Sequence, residues 1–298
     1  MSLVKVVAAG LLALSLATLG PAALERASAA QARIQSTSKA ATLHYGSDPA
    51  QALDFLAART GDGNAPLVLF VHGGGWTNGS KDNATGRYKA SHYTQAGYAF
   101  ATIDYRLVPQ ATVEQQAQDV ADALAYLLAR APELGIDPDR VVLMGHSAGA
   151  HLVALVGTDP QYMRKAGLSL DAIDGIVALD GAAYDVPRQV ADNRVPLLEK
   201  RYAAAFGSDA ARQRALSPTL QASAPNAGDW LIVHVDRADG KQQAEALAAA
   251  LRKAGDRAQV QPLAGRGLRG HAQVNRSLGD PDYEGTPIVD AWLARVLR

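Results

Sequence analysis

Apolar residues fall along this chain in two patterns: short unbroken runs, and stripes at helical spacing. Leu67–Val71 reads LVLFV, Val141–Met144 reads VVLM, and Trp230–Val235 reads WLIVHV. Each run is short for a helix and rich in β-branched or aromatic residues, which predicts strands buried on both faces. Ala99–Ile103, Ile173–Leu179 and Ala258–Leu263 are predicted as further strands. The clearest helix is Thr112–Ala131, where Val113, Ala117, Val120, Ala121, Leu124, Leu127 and Leu128 lie mainly on one stripe and Thr112 is placed to cap it. Helices are also predicted over Asn83–Ala96, from about Ala148, over Gln242–Ala254, and over Thr286–Leu297 with Pro287 at its first position. Strands alternating with helices imply βαβ units and a largely parallel sheet. Ala41–Tyr45 and Ala52–Ala58, joined by Gly-Ser-Asp-Pro, are predicted as an antiparallel edge. Between Pro187 and about Ser223 the alternation lapses. That stretch is polar, partly helical and interrupted by Pro196 and Pro218, and is expected to run over the top of the sheet near a pocket.

With 298 residues, 48% of them hydrophobic, the chain is long enough for one sizeable core. No internal repeat or linker divides it, so residues 31–298 are expected to form a single domain. Residues 1–30 are set apart. Lys5, the apolar stretch Val6–Leu19 and the motif Ala27-Ser28-Ala29 predict a secretory signal peptide cleaved after Ala29 or Ala30, with an uncleaved anchor as the alternative. The expected home is a bacterial periplasm or the cell exterior, with no stable membrane insertion after cleavage. Lys plus Arg and Asp plus Glu balance at 29 each, which disfavours nucleic acid and anionic lipid as partners. Cysteine is absent, which rules out a disulfide, a thiolate nucleophile and a Cys-ligated metal.

Chemistry concentrates in VVLMGHSAGAHLVAL, Val141–Leu155. Gly145-His146-Ser147-Ala148-Gly149 is an instance of G-x-S-x-G between a predicted strand and a predicted helix. A serine hydroxyl is a weak nucleophile unless it stands clear of the backbone within reach of a base. A sharp strand-to-helix turn provides this, crowds the positions on either side that glycine fills, and aims the first helix amides at the space above the serine. After the run Leu67–Val71 comes His72-Gly73-Gly74-Gly75-Trp76, whose glycines expose backbone amides where an oxyanion could be held. Neither a dinucleotide nor a P-loop pattern is present, and no HExxH or EF-hand spacing occurs, so no cofactor and no metal are inferred.

Ser147 needs a base, and the base needs a carboxylate. Of the seven histidines, His146 and His151 flank the serine locally, His234 lies within a strand, His44 and His92 come early, and His72 reads as a structural residue of its loop. His271, after the strand Ala258–Leu263, is left as base. The acid is expected after Trp230–Val235, with Asp239 preferred and Asp236 open beside it. Asp180 and Asp185, on either side of Tyr184, read more readily as turn formers.

Together these residues resemble the α/β-hydrolase superfamily, in the branch whose oxyanion loop is written HGGG, close to hormone-sensitive-lipase-like esterases. HGGGW, with GIDPDR ahead of GHSAGAHL, is similar to bacterial feruloyl-esterase-like and kynurenine-formamidase-like carboxylesterases. The resemblance covers about Leu43 to the C-terminus. It implies the α/β-hydrolase fold, with a mostly parallel sheet of about eight strands and helices on both faces. It also implies Ser147 as nucleophile, His271 as base, and amides of Gly74, Gly75 and Ala148 as the oxyanion hole. The loop after Trp230–Val235 departs from the family pattern: DRADGKQQ stands where a longer D-x-x-V-P-like run is common, so Asp239 and Asp236 both stay open. The implied activity is a serine carboxylesterase acting on small acyl or aryl esters. The alternatives are an arylformamidase or amidase on the same triad, and a non-catalytic binding protein. The resemblance leaves substrate and oligomeric state open.

Overall fold

The computed structural model describes residues 40–298 except Asp62 and Ala238. The signal peptide expected over residues 1–30 lies outside the described residues. The strands are β1 (Ala41–His44), β2 (Ala52–Leu56), β3 (Ala65–Val71), β4 (Ala99–Ile103), β5 (Ile136–His146), β6 (Gly175–Leu179), β7 (Asp229–Asp236) and β8 (Ala258–Arg266). They form one sheet in the order β1-β2-β4-β3-β5-β6-β7-β8. β1 and β2 make the antiparallel edge, and every pairing from β4 to β8 is parallel.

The pleat explains why the central strands are apolar at every position. Successive side chains point to opposite faces, so a strand covered on both sides has no polar face to show. Leu67, Leu69 and Val71 face one core with Val141, Leu143, Ile176 and Ile232, and Leu124, Leu152 and Leu247 close it from three helices. Val68 and Phe70 face the other with Val142, Met144, Val177 and Leu231, under Tyr93, Val274 and Trp292. The result is a sheet between two helical layers, with the carboxyl ends of β3, β5, β6, β7 and β8 on one edge where connecting loops meet.

Helix Val113–Leu128 follows its predicted stripe, with Thr112 and Gln115 forming a reciprocal capping box. The last helix starts at Gly285, so Pro287 is its third residue and not its first, and two regions differ more from the sequence expectation. The single helix predicted over Asn83–Ala96 is two, Lys81–Ala84 and Lys89–Gln95, because Gly86 adopts φ 88° between them. His271, after β8, lies within a helix, Gly267–Ser277, which is not among the predicted ones. Its polar sequence hides a helix that buries only Gly270, Val274 and Asn275.

Candidate active site

β5 runs directly into helix Ala148–Thr158, and Ser147 is the single residue at the corner, with φ 57° and ψ −118°. A non-glycine residue held there carries backbone strain of order 1–3 kcal/mol and persists only where its surroundings fix it. The flanking glycines are what make the corner possible. A Cβ on Gly145 would strike the Gly149 carbonyl, and one on Gly149 would strike the Val71 carbonyl of β3. The helix therefore packs against the strand ends, and the serine hydroxyl is pushed up into the loops.

His271 Nε2 lies 3.0 Å from Ser147 Oγ. Its Nδ1 lies 2.6 Å from a carboxylate oxygen of Asp180. This geometry places the His271 proton on Nδ1, donating to Asp180, and leaves Nε2 to accept from the serine hydroxyl. The carboxylate therefore comes from the end of β6, and the expectation that Asp239 or Asp236 would hold His271 is corrected. Asp236 is exposed at the tip of β7, where Arg266 Nε donates to it at 2.7 Å. Asp239 pairs with Arg237 at 3.2 Å and accepts from Gln189 Nε2 at 2.9 Å. The side chain that β7 sends toward the site is Arg237, whose Nε is 3.1 Å from Asp180 and whose Nη2 donates to the Gly181 carbonyl at 2.7 Å.

Asp180 is fully buried. Burial alone would push its carboxyl up, but the His271 hydrogen bond and the Arg237 charge outweigh that and hold it below the usual carboxylate range. The Val235 amide also donates to it, at 3.2 Å. Its backbone sits at φ 45°, a second non-glycine residue in the left-handed region. The sequence signal that could have found it is its position immediately after a buried strand; the adjacent Gly181 and nearby Asp185 made it look like a turn.

The glycine loop lies against the serine. A Cβ on Gly73 would come within 2.9 Å of the Ser147 Cβ. The amides of Gly74, Gly75 and Ala148 donate to no backbone acceptor among the described residues. Behind the loop, His72 is stacked on Tyr105 at 4.4 Å, with Nδ1 2.7 Å from the Gly73 carbonyl; burial pushes it down to about 4, so it stays neutral. Trp76 is buried beneath helix Pro196–Phe206, with its ring 4.7 Å from Phe206 and 6.0 Å from Tyr202. Its indole N–H donates to His151 at 3.3 Å. The excursion after β6 thus roofs the glycine loop, and Trp76 anchors that roof from below.

Two buried groups steady the base, and sequence reasoning gave neither this part. His146 Nε2 donates to the His271 carbonyl at 2.9 Å with the rings 4.5 Å apart, and burial holds it well below its ordinary value, hence neutral. Lys89 is wholly buried and donates to the Thr85 carbonyl and to both the carbonyl and side chain of Asn275, in the last turn of the helix that bears His271. A cation at that end also meets the helix dipole favourably. Burial pushes Lys89 down to about 7. Among the described residues no group of three His, Asp or Glu side chains is placed to hold a metal ion. No described helix is long and apolar enough to cross a membrane.

Residues 53–182 match the family model described as BD-FAE. That stretch includes the glycine loop, Ser147 and Asp180, and stops before His271. The chain is 36% identical over 123 residues to a probable isoprenylcysteine alpha-carbonyl methylesterase of Arabidopsis thaliana, covering 41% of this chain and 25% of that protein. It is 36% identical over 140 residues to esterase LipC of Mycobacterium tuberculosis, covering 44% of this chain and 34% of that one. The matches thus span about a quarter to a third of these relatives' length. Esterase B from Lactobacillus rhamnosis superimposes with a TM-score of 0.69 at 21% identity, covering 93% of each chain. The fold is that of the α/β-hydrolases.

Proposed function

We propose that this α/β-hydrolase is a serine carboxylesterase acting on small acyl or aryl esters through an acyl-enzyme. The observation that carries the reading is the chain Ser147–His271–Asp180, at 3.0 and 2.6 Å, beside amides with no backbone acceptor. His271 Nε2 takes the serine proton as Oγ attacks the ester carbonyl. Asp180 holds the ring and stabilises the imidazolium that forms. The oxyanion is received by the amides of Gly74, Gly75 and Ala148. The tetrahedral intermediate collapses as His271 returns the proton to the departing alcohol. Water, deprotonated by the same imidazole, then attacks the acyl-enzyme and frees the acid and Ser147. The activities named for the relatives, esterase and methylesterase, agree with this chemistry.

The test is hydrolysis of a p-nitrophenyl ester series by the purified protein beside Ser147→Ala. The expected outcome is a loss on the order of a million-fold in kcat for the variant. Retention of most turnover by Ser147→Ala sinks the reading. Rates on N-formyl aryl amides, run in parallel, are expected to fall below those on esters. The export signal read from residues 1–30 makes the periplasm or medium the proposed location, checked by N-terminal sequencing of protein secreted from a bacterial host.

A further inference from the structure

The carboxylate that orients the base does not stand in isolation from other charge. Arg237 reaches Asp180 from the end of β7 and grips it through the carboxylate and the Gly181 carbonyl. The ladder between β7 and β8 is irregular between His234 and Asp236, and such an irregularity re-aims the residues beyond it. Gly240 leaves the room: a Cβ there would lie 3.3 Å from Arg237 Nε, Arg237 Nη2 and Asp180 Oδ1 alike. On its outer side Arg237 meets Asp239 at 3.2 Å, and Asp239 is held by Gln189, whose Oε1 accepts from the Ala183 amide at 3.1 Å. Four side chains thus run in line as imidazole, carboxylate, guanidinium, carboxylate.

We propose that Arg237 and Asp239 are positioning residues that set the charge His271 feels through Asp180, and so the pH range in which His271 works as a base. The proposal rests on the esterase reading for its consequence in turnover, though not for its effect on the histidine. A guanidinium is charged at every relevant pH. Alone beside Asp180 it would secure the ionised carboxylate but cancel much of the field that stabilises the imidazolium. Asp239 offsets that cancellation from the far side. The two act with opposite sign on His271.

Other groups face the pair, among them Tyr202 and Arg201 of helix Pro196–Phe206; burial pushes the Tyr202 phenol up to about 12, so it stays neutral. His146 comes from β5 and is held neutral by burial. Tyr184 lies in the loop after β6 and Tyr283, with Glu284, just before the last helix; burial pushes both phenols up, so they stay neutral. Lys89, beyond Asn275, is pushed down to about 7 by burial. It is common to every variant, so it cancels when variants are compared.

The experiment follows the His271 ring by NMR titration, and the acid limb of kcat/KM on p-nitrophenyl butyrate, in the wild type, Arg237→Met, Asp239→Asn and the double variant. Removing the cation is expected to move the His271 midpoint up, and removing the outer carboxylate to move it down, each on the order of half a pH unit or more. The double variant returns toward the wild type. A network that merely holds structure would lower kcat in each variant and leave all midpoints together, and that result overturns the proposal. So does a shift of the same sign in both single variants. If Arg237→Met does not fold, Asp239→Asn decides alone, since the Asp239 side chain is 27% exposed and tolerates neutralisation. If no ester is hydrolysed, the esterase reading fails while the NMR midpoints still judge the charge relation.

Discussion

The loops after β3 and β5 place their groups through the backbone, whereas those after β6 and β7 place theirs through contacts between side chains. On the first side Ser147 is fixed by a strained corner and two glycines that let helix and strand ends touch, and the amides proposed to receive the oxyanion are main chain. On the second side Asp180 is fixed by His271, Arg237 and the Val235 amide, and Arg237 by Asp239 and Gly181. Backbone placement demands particular residues at particular spacing. Side-chain placement demands only that charges and donors balance, and many arrangements satisfy that.

The largest effect that tests this contrast is the exchange of roles between two carboxylates. Asp180→Asn leaves the shape of the site but removes the charge that holds the His271 tautomer, and kcat is expected to fall by about 10⁴. Asp239→Asn, by the same assay, is expected to cost about tenfold or less. If Asp239→Asn is the more damaging of the two, the acid belongs to the β7 loop after all and the contrast collapses.

That outcome bears on how the site could be read in the sequence. Ser147 was legible because G-x-S-x-G between an apolar run and a helix is a local requirement of the corner. The glycine loop was legible for the same reason, and His271 by elimination and chain order. The acid was not. DRADGKQQ follows the right strand and offers two aspartates, yet the residue it sends inward is Arg237, and no local pattern says so. Asp180 needed knowledge of which strand end comes nearest to His271. The sheet and its order of strands and helices followed from the apolar runs, because burial on both faces leaves a mark at every position. Helix Gly267–Ser277 left little mark, because it buries one narrow face.

Acid stability should separate the two sides by pH window. His72 and His151 are buried and pushed down to about 4, and His146 is also held well below its ordinary value. An unfolded histidine takes its proton near pH 6.5. Below that the unfolded chain binds protons that the fold refuses, so stability is full above about 6.5 and is lost as pH falls toward 4. His72 and His151 each account for on the order of 3 kcal/mol of that loss. Asp180 acts lower: its folded carboxyl is depressed, so its contribution is present above the unfolded value near 3.9 and vanishes as pH drops through the folded one. Urea unfolding at a series of pH values is expected to show His151→Gln flattening the upper window only and Asp180→Asn the lower only. Equal slopes in His151→Gln and wild type would remove the histidines from the account.

The smallest effect concerns the two aspartates that flank Tyr184. In sequence they are alike, one just after a strand and the other two residues before a proline, and each a ready turn former. In the structure one turns into the site and the other caps a helix: Asp185 is the N-cap of Val186–Asp192, accepting from the Arg188 amide at 3.2 Å. An N-cap side chain satisfies one helix amide and nothing more, so Asp185→Ala is expected to cost about 1 kcal/mol of stability. Because Asp185 reaches none of the triad groups, kcat/KM at a temperature well below unfolding should stay within about twofold of wild type. Were Asp185→Ala instead to impair turnover strongly at unchanged stability, the site would extend along the whole loop after β6, and that loop would be placing a second group through side-chain contacts, as the contrast between the two sides of the site allows.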